Sequence, residues 1–178
     1  MGCDILVDGY NVIKNSVMFQ MLEQKSLAAA RDVLIQQLKN RYRLSDCRVT
    51  VIFDGDRPQE QESHDDHIRV IFSRYGETAD SVILRLAAQS RLALRSVHVY
   101  SDDVEVQEGG VMQGGSAHST KQLTGQLNEA PRDVAHRALH RQKARRIYGI
   151  DPAHKPDDEP SLPRHKGKKK KRSSRRHN

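Results

Sequence analysis

At 178 residues, 36% of them hydrophobic, the chain has room for one ordinary domain with a modest core. No apolar run approaches the roughly 18 residues of a membrane helix, and no basic segment leads into an apolar leader, so the expectation is a cytoplasmic protein without a membrane partner. The formal charge of +7 is uneven: residues 164–178 hold nine Lys/Arg and no Asp/Glu, and removing that +9 leaves −2 for the rest. An acidic body joined to a basic arm fits a protein whose arm attracts a polyanion while the body acts on it. Cys3 and Cys47 fit neither a disulfide framework nor a zinc site.

Strand and helix periods alternate along the body. Asp4–Val7 is a short apolar strand that stops at Asp8-Gly9. Leu27, Ala30, Leu34 and Leu38 then form a helical stripe with Ser26 as its N-cap. The β-branched run Arg48–Phe53 ends at Asp54-Gly55, and the polar stretch from about Asp56 to His67 reads as a loop. A third strand follows at Ile68–Phe72, and Ala79, Val82, Ile83 and Leu86 mark a helix capped by Thr78. Ser96–Tyr100 is the fourth strand, ending at Ser101-Asp102-Asp103. The glycine pairs 109–110 and 114–115 read as a mobile loop, followed by a helix near Thr120–Asn128 and another from Pro131 to about Tyr148. Such alternation implies a mostly parallel sheet with helices on both faces, a three-layer α/β/α sandwich. The expected organisation is one domain over residues 1–150, closed by a basic helix, and a disordered basic tail over 151–178.

The acids fall where such a fold binds ligands. In an open α/β sheet the binding crevice lies beyond the carboxyl ends of the strands. Asp8, Asp54, Asp102 and Asp103 each follow a strand, and Asp80 lies in the first turn of a helix that follows one. Asp-Gly pairs also serve as plain turns, and Asp80 also suits a helix dipole, but turn chemistry alone does not bring the whole set to one rim. Carboxylates crowded together repel and are relieved by protons or a cation, and oxygen ligands suit Mg²⁺ or Mn²⁺.

Four segments appear in order: Asp8-Gly-Tyr-Asn11-Val-Ile, Val51-Ile-Phe-Asp54-Gly, Thr78-Ala-Asp80-Ser-Val-Ile and Val99-Tyr-Ser-Asp102-Asp103. Together, over roughly residues 3–150, they resemble the NYN domain in its YacP-like branch, a relative of the PIN-like nucleases. The resemblance implies the same sandwich fold and a metal-dependent endoribonuclease, with some members acting on mRNA at the ribosome. It also implies products with a 5′-phosphate and a 3′-hydroxyl. By that resemblance Asp8, Asp80 and Asp102, with Asp103 beside it, are the metal ligands. Asn11 orients Asp8 or meets the scissile phosphate, Asp54 lies behind the ligands or only closes its strand, and a polar group near Ser116–Thr120 sits by the phosphate.

Other signals are weaker. His64-Asp65-Asp66-His67 reads as a solvated loop, and His136 and His140, at helical spacing, are surrounded by cations that would repel zinc. Arg137, Arg141 and Arg145 share one helix face and, with Lys168, Lys169, Lys170, Lys171 and Arg172 of the tail, are the expected RNA backbone contacts. An aromatic content of 4% argues against a broad stacking platform, leaving Tyr10 as the one aromatic beside the acids. The expected function is thus a Mg²⁺- or Mn²⁺-dependent endoribonuclease acting on RNA. The alternative is a non-catalytic RNA- or ribosome-binding protein on the same fold.

Overall fold

The computed structural model describes residues 2–65 and 67–129. The expected basic helix with Arg137, Arg141 and Arg145, the tail with Lys168–Arg172, and the boundary at residue 150 lie outside the described residues.

The four apolar runs become the strands β1 (Cys3–Asp8), β2 (Cys47–Phe53), β4 (Ile68–Phe72) and β5 (Ser96–Tyr100). Two further strands, β3 (Gln61–Asp65) and β6 (Ser116–His118), complete a six-stranded sheet of order β3-β4-β2-β1-β5-β6, in which only β3 is antiparallel. Alternate residues of the parallel strands face opposite sides. Ile5, Val7, Val49, Val51, Phe53, Ile68 and Val70 pack on one face under the helices α1 (Gly9–Lys14), α2 (Val17–Glu23), α3 (Leu27–Tyr42) and α6 (Thr120–Asn128). Leu6, Ile52, Ile71, Val97 and Val99 pack on the other face against α4 (Ala79–Leu92) and α5 (Val104–Met112). The result is the expected three-layer sandwich.

Local signals set the helix starts. Ser26 accepts a hydrogen bond from the Ala29 amide at 3.2 Å, and Thr78 accepts one from Ser81 at the same distance. Three expectations are corrected. The polar stretch 61–65 is not loop: β3 is exposed throughout and is held to β4 by backbone pairing and by the cross-strand ion pair of Arg69 with Glu62. The glycine-rich stretch is not one mobile loop: Gly109 and Gly110 lie in α5, and Gly114 and Gly115 form the short turn that leads into β6. Asp103 caps α5, and side chains at Gly109 and Gly110 would collide with Leu84 and Val99, so the two glycines let the helix lie close to its neighbours. Finally, Cys3 and Cys47 are directly opposite in the β1–β2 register, 4.6 Å apart at Cα, and are joined as a disulfide. A separation of 44 residues conceals a contact that only the parallel register creates.

β1 lies between β2, reached first along the chain, and β5, reached after α4, so the connections leave β1 in opposite directions. That reversal puts the topological switch point at the carboxyl ends of β1 and β5.

Candidate active site

Asp8 ends β1 and caps α1. Its Oδ1 accepts from the Asn11 amide at 3.1 Å and its Oδ2 from the Ser101 hydroxyl at 3.2 Å, across the switch point. The residue is buried, at 7% exposure. Burial pushes its carboxyl up to about 6. The two hydrogen bonds pull it down, while the charges of Asp80 and Asp54 add to the rise.

Asp80, in the first turn of α4, is half-buried and carries no hydrogen bond or ion pair among the described residues. Burial raises its carboxyl, and Asp103, Asp54 and Glu105 raise it further. Asp54 holds its place after β2 by accepting the Ala79 amide at 2.7 Å, which ties the end of β2 to the start of α4. Asp80 and Asp54 thus act on Asp8, and Asp103, Asp54 and Glu105 act on Asp80.

The two adjacent acids after β5 differ. Asp102 accepts from the Thr120 amide at 2.9 Å, from the Thr120 hydroxyl, and from Asn15 Nδ2 at 2.9 Å, so both of its oxygens are taken up in joining α6 and the end of α1 to the rim. Asp103 uses only Oδ1, accepting from the Glu105 amide at 2.8 Å and the Val106 amide at 3.3 Å. Its Oδ2 has no hydrogen-bond partner among the described residues.

Asn11 supports the rim in an unexpected way. Its backbone, not its side chain, reaches Asp8; its Oδ1 accepts from the Asp102 amide at 3.1 Å and from Asn15 Nδ2 at 2.9 Å. Ser101, Asn15 and Glu105 are neighbours of the acids that sequence reasoning missed, while Thr120, within the polar stretch 116–120 expected by the phosphate, binds Asp102 instead. Asn15 carries a usable signal, one helical turn after Asn11; the others become visible only when β5 and α6 are brought beside β1. Among the described residues no three acidic, imidazole or thiol groups are arranged as a ready-made metal site.

The model of the YacP-like NYN domain matches residues 5–155, most of the chain and all of this rim. The chain belongs to that family. Its likeness to the uncharacterized protein YacP of Bacillus subtilis (strain 168) is 31% identity over 135 residues, 75% of this chain and 79% of that protein. Among solved structures it is similar to two crystal structures of Rae1 (YacP) from Bacillus subtilis. A mutant gives a TM-score of 0.61 at 30% identity, covering 84% of this chain and 85% of that one. The second structure gives 0.59 at 29%, covering 80% and 83%. The YacP-like NYN domain thus has a nuclease-type fold here, with its acids at the switch point.

Proposed function

We propose that this YacP-like NYN domain is a metal-dependent endoribonuclease whose catalytic centre is the rim of Asp8, Asp80 and Asp103. The observation that carries this reading is Asp8, a buried carboxylate with no cationic side chain bonded to it among the described residues, pushed up to about 6 beside further acids. A fold tolerates uncompensated buried charge at cost, and such perturbed groups concentrate at functional sites. The donor chemistry fits a hard divalent ion. Asp8, Asp80 and the free Oδ2 of Asp103 would hold Mg²⁺ or Mn²⁺ together with waters, once drawn closer than the described residues place them. When bound, the ion supplies an acidified water and neutralises charge on the phosphoryl group.

The chain's own residues do the positioning. Ser101 and the Asn11 amide fix both oxygens of Asp8, so it needs no reordering when substrate arrives. Asp54 braces the first turn of α4 and, through it, Asp80. Asp102 ties α1, α6 and the end of β5 together, and in our reading it is a positioning residue, while Asp103 takes the ligand role. Asn11 has its Oδ1 committed to that brace, which leaves its Nδ2 hydrogens to donate to a phosphate oxygen. Arg137, Arg141, Arg145 and the basic tail would draw in the RNA backbone, and the ribosome is a partner consistent with that charge.

The test is cleavage of labelled RNA, with and without translating ribosomes, in Mn²⁺ or in EDTA. Discrete fragments with 5′-phosphate ends that disappear in EDTA and in Asp8→Asn are expected. Tight, salt-sensitive binding with no cleavage in any arm would instead identify a binding protein.

A further inference from the structure

Beside the acidic rim lies a cavity of about 560 Å³ between α1, the start of α3, the loop after β2 and the end of β4. That volume is in the range of small-molecule sites. Asp54 lines it and also acts on Asp8 and Asp80, so the cavity and the rim share a wall. Tyr10, two residues beyond Asp8, forms another wall.

Most described arginines are paired with acids, whereas Arg91 meets only the Met112 carbonyl among the described residues. Arg48, Arg69, Arg74, Arg85 and Arg95 each have a carboxylate partner. Arg31 and Arg57 have none among the described residues, although Asp54 and Asp56 line the same cavity. Arg31 is held by aromatics instead. Its Nη1 donates to the Tyr10 hydroxyl at 3.0 Å, and its guanidinium lies 5.2 Å from the centre of the Phe72 ring. Phe72 in turn stacks on Phe53 at 5.3 Å, and Phe53 packs against Tyr10 at 5.0 Å. The result is a flat cation fixed on an aromatic stack.

The opposite wall is equally fixed. Gly55 donates its amide to Ser73 Oγ at 3.1 Å, Ser73 donates its own to the Phe53 carbonyl at 2.9 Å, and Tyr75 donates to the Arg57 carbonyl at 2.6 Å. A side chain at Gly55 would run into the Ser73 carbonyl, so only glycine permits that approach. The backbone of the loop is thereby set while the Arg57 side chain stays exposed at the mouth.

We propose that this cavity is a subsite for one nucleotide of single-stranded RNA flanking the scissile phosphate, with its base against the Tyr10–Arg31–Phe72 platform and its phosphate on Arg57. Guanidinium planes and aromatic rings stack unpaired bases, and a free guanidinium matches phosphate geometry. Asp54 and Asp56 turn a phosphate toward the arginine side and leave acceptors for base amino groups. The inference rests on the nuclease reading above and names where its substrate lies.

The experiment uses the full-length Asp8→Asn chain with a single-stranded RNA oligonucleotide carrying 4-thiouridine, irradiated in Mg²⁺ and mapped by mass spectrometry. Crosslinks on the peptide containing Tyr10 or Phe72 are expected, reduced about tenfold by adding Arg57→Ala, an exposed change that leaves the packing intact. In the otherwise wild-type chain Arg57→Ala should raise KM for RNA by a similar factor with kcat nearly unchanged. Crosslinks confined to other peptides, or a yield indifferent to Arg57→Ala, would overturn the subsite. Cleavage by the wild-type chain alongside that result would leave the nuclease reading standing. Crosslinks in the cavity without cleavage would sink the nuclease reading and keep the subsite.

Discussion

The two ends of β1 each bury an aspartate on the same face of the strand, and the fold treats them oppositely. Asp4 is 4% exposed and Asp8 is 7% exposed. Asp4 is met by cations: Arg48 reaches it with two bonds of 2.8 Å, Arg95 with one of 2.9 Å, and Ser90 adds one of 2.6 Å. Burial alone would raise its carboxyl, but those donors outweigh it and hold the group at about 2. Among the described residues Asp8 receives only an amide and a hydroxyl and faces further acids, so burial prevails at about 6. A buried charge closed off by its own partners is structural. One left short of a counter-charge, beside an open rim, has a place for a ligand.

Exchanging each carboxylate for its amide separates the two most sharply. Asp8→Asn keeps the shape and the cap on α1, since Asn caps as well as Asp. RNA cleavage should fall by about three orders of magnitude, while stability near neutral pH rises by about 1–2 kcal/mol as the buried charge is removed. Asp4→Asn should do the reverse. It leaves Arg95 half-satisfied and costs about 2–3 kcal/mol, discounted because Arg48 is mostly exposed, with activity per folded molecule unchanged. Urea unfolding and initial cleavage rates on the same preparations check both. Loss of activity in Asp4→Asn at full folding would erase the distinction.

The pH profile of stability in EDTA carries opposite signs from the two ends. Asp8 is raised, so as pH falls through about 6 the native state takes up its proton before the unfolded chain does and stability rises toward pH 4; Asp80, also raised, adds in the same direction. Asp4 has a lowered value. Its contribution is whole above about 3.8 and is lost as pH falls toward 2. Thermal melts from pH 7 to pH 2.5 should therefore pass through a maximum near pH 4. Asp8→Asn should flatten the limb above it, and Asp4→Asn the limb below.

How much of this was legible in the sequence follows from what each feature depends on. The strands β1, β2, β4 and β5 announce themselves because they are buried on both faces, and Ser26 and Thr78 mark their helices by local chemistry. β3 is Gln-Glu-Ser-His-Asp, with no apolar residue, and exists only because β4 offers an edge. α5 carries two glycines that lower its own helical tendency and make sense only against Leu84 and Val99. In the site, the acids could be placed on one rim because strand ends converge in any parallel sheet. The difference in hydrogen bonding between Asp102 and Asp103 could not be read, because Thr120 and Asn15, which take up Asp102, arrive from α6 and from the far end of α1.

The smallest effect sharpens that last point. If Asp8, Asp80 and Asp103 share an ion in the native state only, Mn²⁺ at ten times its dissociation constant should stabilise the chain by about 1.4 kcal/mol. The shift should vanish in Asp8→Asn and in Asp103→Asn. It should survive in Asp4→Asn, whose carboxylate is already surrounded by cations at the other end of β1. Asp102→Asn is the discriminating case. Its oxygens accept from Thr120 and Asn15, and an amide keeps one acceptor, so the variant should lose baseline stability yet retain most of the Mn²⁺ increment. The opposite pattern, with the increment lost in Asp102→Asn and kept in Asp103→Asn, would mean that the brace opens when the ion binds and that Asp102 exchanges its hydrogen bonds for the metal.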